Sequence, residues 1–217
     1  AYIRADLLVS KIQDWDNLID MGITSHFYGV ESMNHKSAKS IGKGMQSGKI
    51  QDGLLAVDEY FRKNAGFYKG HISLIAGLPH ETLDTLRETV SWLSNYWSHH
   101  SYHMNVLMIK DLDNTPPSLN HNSEMDKDWT KFGYRRAEWK EDDIDWSKAI
   151  NPYYKGLYDY VRDTKYYLNW ENDDLSLHDV MRWCAEEFSQ AKLRNIVDPF
   201  MYDKFFMDPS VEWKDFI

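Results

Sequence analysis

Two rhythms of apolar residues alternate along the first half of the chain. Short apolar runs at residues 1–8, 23–30, 71–76 and 104–109 have the length and composition of strands in a sheet covered by helices. Between them apolar positions fall at helical spacing. Ile12, Trp15, Leu18 and Ile19 mark a helix over residues 10–21, stopped at Gly22. A shorter helix is predicted at 37–43, broken at Gly42 and Gly44. Leu54, Leu55, Val57, Tyr60 and Phe61 mark another over 50–65, and Leu83, Leu86, Val90 and Leu93 a further one ending near Tyr96. Strand and helix in strict alternation predict consecutive βα units, an α/β fold and a parallel sheet. In such sheets chemistry collects where strands end, which puts Glu31, Ser32, the Gly77-Leu78-Pro79 loop and Lys110-Asp111 on the functional rim.

Beyond residue 111 the texture changes. Asn114-Thr115-Pro116-Pro117-Ser118 is a loop signal, and residues 119–152 mix Trp, Tyr and charge without a clear period. Two helices are expected later, over about 153–168 and 175–195. The second starts from Asp173-Asp174 or from a cap at Ser176. The division expected is a βα region at 1–111 and a mainly helical C-terminal extension at 112–217, packed on it.

Composition narrows the function classes. A net charge of −9 argues against general affinity for nucleic-acid backbone. The single cysteine, Cys184, cannot form an internal disulfide, so a reducing, cytoplasmic setting is the expectation. Nor can one thiol hold an iron–sulfur cluster or a four-ligand zinc ion, and Cys184 reads as a small buried apolar residue. No apolar run approaches the roughly 20 residues of a membrane span. The chain opens without an initiator Met on what reads as a strand already under way, so a fragment of a longer protein is expected.

Several tempting patterns are discounted. Gly42 to Lys49 is phosphate-friendly, but its glycine spacing misses the P-loop pattern and Ile50 stands where Ser or Thr is needed. His99-His100-Ser101-Tyr102-His103 reads as a solvated helix-to-strand connection with no carboxylate partner. Asp111-Leu112-Asp113-Asn114 lacks the glycine and terminal glutamate of an EF-hand. Glu81 reads as a first-turn helix residue, and the aromatics of 153–170 as packing.

Three segments, in order and separation, resemble the radical S-adenosylmethionine (SAM) superfamily, especially its cobalamin-domain and coproporphyrinogen dehydrogenase-like members. They are Tyr2-Ile3-Arg4-Ala5-Asp6-Leu7-Leu8; Met21-Gly22-Ile23-Thr24-Ser25-His26-Phe27-Tyr28-Gly29-Val30-Glu31-Ser32 with Ile41-Gly42-Lys43-Gly44; and His71-Ile72-Ser73-Leu74-Ile75-Ala76-Gly77-Leu78-Pro79-His80-Glu81-Thr82. Each is similar to the family's fourth, fifth or sixth barrel strand, the last with its Gly-Leu-Pro-x-Glu-Thr turn. Together they cover roughly residues 1–95. The resemblance implies the C-terminal half of a partial (β/α) TIM-like barrel.

It also implies a SAM-binding role for four residues. Arg4 matches a SAM-contacting position. Glu31 matches the carboxylate or amide that meets the methionine or ribose part. Lys43 matches the base that pairs with the SAM carboxylate, and Ser73 matches a polar position near the ribose. A carboxylate can accept from the ammonium or hydroxyls of SAM while a cation meets its carboxylate. The family's Cys-x-x-x-Cys-x-x-Cys motif is absent, so the [4Fe–4S] cluster is expected on cysteines outside this chain. The resemblance then implies a parent enzyme that cleaves SAM reductively, with an external electron donor, an unknown substrate and room for a cobalamin domain. The alternatives are a non-catalytic α/β binding or scaffold domain, and an unrelated barrel enzyme.

Overall fold

The computed structural model describes residues 1–43, 45–116, 125, 128–139, 144–148 and 152–187. Four strands pair in chain order, all parallel: β1 (Tyr2–Ile3), β2 (Ser25–Glu31), β3 (Lys69–Ala76) and β4 (Ser101–Val106). The connections are helical, as parallel pairing requires. They comprise α1 (Ala5–Ser10), a 3-10 turn (Ile12–Asp14) and α2 (Trp15–Asp20); then α3 (His35–Ser40) and α4 (Ser47–Ala65); then α5 (Leu83–Tyr96). The chain is thus a mixed α/β protein built on a parallel four-stranded sheet.

Local chemistry sets the helix ends. Thr82 and Thr85 form a reciprocal cap at the start of α5. Gly66 takes φ 73° and ends α4 with its N–H on the Arg62 carbonyl.

Side chains alternate across the sheet with period two. Tyr28, Ile72, Leu74, Tyr102 and Met104 point to one face and are buried beneath Trp15, Leu54, Val57, Phe61, Leu86 and Leu93 of the helices. The other face carries Phe27, Gly29 and Glu31 on β2, His71 and Ser73 on β3, and Ser101, His103 and Asn105 on β4. Most of these stay half-buried. Parallel sheets are usually covered on both sides, so a polar, half-open face is the feature of this fold to explain.

Past β4 the chain forms a 3-10 turn (Trp129–Phe132), a two-residue antiparallel pair of β5 (Arg135–Arg136) with β6 (Trp170–Glu171), and helices α6 (Pro152–Asp163) and α7 (Leu177–Glu187). Tyr154 donates its hydroxyl to the Met104 carbonyl on β4 (2.8 Å), and the Trp170 indole donates to Leu107 just beyond it (3.0 Å). Both bonds tie the later part of the chain to the last strand of the sheet. Trp170, Leu177, Val180, Met181 and Cys184 join the same buried apolar cluster as the strands. Ser176 caps α7, its Oγ accepting from the Asp179 N–H (3.0 Å) while the Asp179 carboxylate accepts the serine hydroxyl (2.6 Å).

Three sequence expectations need correction. Residues 1–8 are not one strand: β1 stops at Ile3 and residues 5–10 form a helix that buries Ala5 and Leu8. The helix expected over 10–21 is a 3-10 turn followed by a six-residue helix. The fourth strand begins at Ser101 rather than Met104, taking Tyr102 and His103 out of the expected loop. The later helices run over Pro152–Asp163, ending before the expected 168, and Leu177–Glu187, and the helix expected over 188–195 lies outside the described residues.

Candidate functional site at the C-terminal ends of the strands

β2 leaves the sheet irregularly. Its pairing with β3 shifts between Gly29 and Glu31, and Glu31 takes φ 67°. A left-handed conformation in a residue other than glycine costs about 1–3 kcal/mol and persists where its surroundings demand it. Bulges of this kind re-aim a side chain, and here the Glu31 carboxylate folds back over Gly29. A Cβ on Gly29 would lie 2.7 Å from Glu31 Oε1, so glycine leaves the carboxylate its space.

Lys43 arrives at the same place from the turn after α3. Asn34 starts that helix by accepting from the Lys36 and Ser37 N–H groups (2.9 and 3.2 Å). Its end is fixed by the Lys43 N–H on the Ala38 carbonyl (2.8 Å). Lys43 Nζ then donates to the Gly29 carbonyl (2.9 Å) and lies 3.6 Å from Glu31 Oε1. Burial raises the Glu31 pKa above the usual carboxylate value, and the lysine opposes that shift. Below the pair a cleft of 20 Å³, lined by Asp6, Gly29, Ser32, Ala38, Lys43 and Met45 among others, has room for about one water.

Arg4 follows β1 directly, at the strand end. It is the residue before α1 and grips Asp6 with two hydrogen bonds (3.1 and 2.7 Å) at an exposed position. The Arg4 guanidinium, with a smaller contribution from Lys43, holds the Asp6 carboxyl below its usual range. Asp6 therefore lies between the two cations electrostatically. Ser73 sits on β3 in register with Gly29 on one side and His103 on the other, and its hydroxyl bonds His103 Nε2 at 3.0 Å.

The β3 exit is braced by Glu81, which lies before the Thr82 cap rather than in the first turn of α5. Glu81 is buried, and its Oε2 accepts from the Gly77 and Leu78 N–H groups (2.9 and 3.2 Å). Its Oε1 accepts from the Ser32 hydroxyl (2.6 Å), which ties the β2 exit to the β3 exit. Burial pushes the Glu81 carboxyl up to about 7, against the pull of those three donors. Gly77 takes φ 98° with the Trp170 ring against it, and its carbonyl accepts from the Tyr134 hydroxyl (2.6 Å). The spacing Gly-Leu-Pro-x-Glu was visible in sequence, and a carboxylate four residues after a strand-ending glycine can turn back onto that glycine's N–H.

The histidines of residues 99–103 do not all belong to a solvated connection. His100 is buried 2.9 Å from Asp58 and accepts from the Gly70 N–H (3.1 Å), so it does have a carboxylate partner. His103 joins His71 and two serines on the open face. Asp111, expected as a polar strand exit, accepts a two-pronged pair from Arg136 (3.0 and 2.8 Å).

Cys184 is fully buried, and burial raises its thiol pKa, as fits a packing residue. Among the described residues no group of three or more His, Cys, Asp or Glu side chains is placed to hold a metal ion. Among them, too, no helix is long and apolar enough to cross a membrane. The fold and site thus define an α/β protein with a charged pair where a central strand ends and an open polar sheet face beside it. No family model, curated protein or solved structure matches the chain.

Proposed function

We propose that this chain is the SAM-holding half of a radical SAM enzyme, with β1–β4 forming one side of a (β/α) barrel. Sequential parallel order with helices on one face is the arrangement a barrel wall requires, and the polar face would then be its interior. The observation that carries the reading is the adjacency of Glu31 and Lys43 at the end of β2. The amino-acid part of SAM is a zwitterion whose ammonium and carboxylate branch from one carbon. A carboxylate and an ammonium 3.6 Å apart are its complement. Without ligand the two side chains neutralise each other; with ligand, Glu31 takes the ammonium and Lys43 the carboxylate.

The other two positions have lesser roles in this reading. Arg4 acts through Asp6, and the Ser73 hydroxyl keeps capacity to accept from a ribose hydroxyl. The cleft below the pair is too small for a nucleoside, so the ligand lies on the open face. Bound SAM would supply the 5′-deoxyadenosyl group with which radical chemistry on a substrate begins. The chain does not fit the cluster, because its one thiol is buried in the core. The cluster ligands belong, on this proposal, to the parent protein's sequence before Ala1.

The coding sequence upstream of Ala1 tests this. Three cysteines in the spacing Cys-x-x-x-Cys-x-x-Cys are expected, and the longer protein, reconstituted anaerobically with iron and sulfide, should release 5′-deoxyadenosine from SAM. An in-frame upstream sequence without them refutes the enzyme reading in favour of a non-catalytic α/β binding domain.

A further inference from the structure

A line of four side chains alternates between β3 and β4 on the polar face, its two serines buried at 8% exposed and its two histidines half-buried. Ser73 Oγ lies 3.0 Å from His103 Nε2, His103 Nδ1 lies 2.6 Å from His71 Nε2, and His71 Nδ1 lies 2.7 Å from Ser101 Oγ. Strand register brings them together, since His71 pairs with Ser101 and Ser73 with His103. Two imidazoles in contact raise the question of a metal ion, and the geometry answers it. The ring centroids are 4.9 Å apart, the separation that results when the 2.6 Å N···N vector runs straight on through both rings. A metal on that line, at about 2.0–2.1 Å from each nitrogen, would force the nitrogens to about 4 Å. A shared proton fits.

The remaining contacts orient the protons. Ser101 donates to the Gly70 carbonyl at 3.4 Å, which leaves its oxygen to accept from His71 Nδ1–H. His71 Nε2 then accepts from His103 Nδ1–H, and His103 Nε2 accepts from the Ser73 hydroxyl. Phe27 stacks on His71 at 4.8 Å and fixes its ring. Burial lowers the pKa of both histidines, that of His71 to about 4, so both stay neutral at pH 7 and His103 can receive a proton.

We propose that Ser73 is a nucleophile, with His103 as its general base and His71 the positioning residue that fixes the His103 tautomer, acting on an acyl or phosphoryl electrophile bound on the open sheet face. Hydroxyl, base and orienting group in hydrogen-bond sequence are the parts nucleophilic serine chemistry needs. Lys43 Nζ, 3.8 Å from where a Cβ would stand on Gly29, the β2 residue in register with Ser73, puts a positive charge on the same face for the oxyanion that develops. In the step itself, Ser73 Oγ bonds to carbon or phosphorus. Its proton passes to His103 Nε2, and the leaving group departs with the bonding pair and collects that proton. The proposal shares Ser73, Lys43 and the polar face with the SAM reading, and the two are told apart because the labelling below uses no SAM and SAM binding is read on Glu31.

The test is covalent labelling of the 217-residue chain with a fluorophosphonate, read by peptide mapping and by rate. Ser73 Oγ–phosphorus bond formation with loss of fluoride is expected at Ser73, and Ser73→Ala should abolish it. His103→Ala should slow labelling at least about 100-fold, with partial rescue by added imidazole. His71→Leu should slow it and His71→Gln, whose amide oxygen can replace Nε2 as acceptor, should restore it; circular dichroism confirms that each variant folds. Labelling of Ser73 no faster than of other serines, or unchanged by His103→Ala in a folded variant, overturns the proposal.

Discussion

Replacing Glu81 with glutamine separates the charge of this carboxyl from its shape. The side chain is 2% exposed and accepts from two backbone N–H groups and one hydroxyl. Its pKa is raised from the ordinary 4.5 to about 7. A carboxyl with a raised folded-state pKa binds its proton more tightly when folded. The stability this contributes is fully present below pH 4.5 and is lost as pH rises through 7. At about 1.4 kcal/mol per pH unit, between 2 and 3 kcal/mol separate pH 5 from pH 8, to order of magnitude. Glu81→Gln keeps an oxygen for the Gly77 and Leu78 N–H groups and removes the titration. It forfeits the Ser32 hydroxyl's acceptor at a pH-independent cost of about 1 kcal/mol. Urea unfolding of both proteins at pH 5 and pH 8 is the assay. The variant should gain roughly 2–3 kcal/mol relative to wild type on going to pH 8. A difference that stays constant across that range refutes the argument that burial governs this group.

Other consequences are as concrete. Gly77→Ala adds a Cβ 2.6 Å from the fully buried Trp170 ring at φ 98°. With about 1–2 kcal/mol of backbone strain and about 1–3 of overpacking, urea unfolding should show a loss near 3 kcal/mol. Gly29→Ala clashes with the movable Glu31 carboxylate end, at 2.7 Å, and meets Lys43 Nζ at an ordinary 3.8 Å. It should leave stability within about 1 kcal/mol while reducing SAM affinity at least tenfold in a binding titration. His71 and His100 are held neutral by burial, their pKa values displaced downward from 6.5. Their contribution is therefore present above pH 6.5 and falls as pH drops toward 4, so the urea midpoint of Glu81→Gln should fall steadily over that interval.

How much of this was legible in the sequence depended on which face a residue served. The helix-covered face announced itself: Tyr28, Ile72, Leu74 and Met104 are apolar, and so are the helix positions above them, so β2, β3, α4 and α5 came out nearly in place. The open face breaks the apolar pattern, which is why Ser101 and His103 read as loop although they belong to β4. The first eight residues misled for another reason. A six-residue helix burying Ala5 and Leu8 has the same short apolar run as a strand, and too few residues to show its period. Glu31 and Lys43 were named from a resemblance, and their contact depends on a bulge and a left-handed residue that no propensity predicts. The His71–His103 contact spans 32 residues and exists only through strand register.

Glu31 and Lys43, on the proposed function, read the amino-acid part of SAM. Equilibrium dialysis of the chain against SAM and, separately, against adenosine measures that directly. SAM should bind more tightly than adenosine, and Glu31→Gln or Lys43→Met should weaken SAM at least tenfold, about 1.4 kcal/mol, while leaving adenosine unchanged. Wild-type chain that binds SAM no better than adenosine, or variants that bind SAM as wild type does, would contradict it.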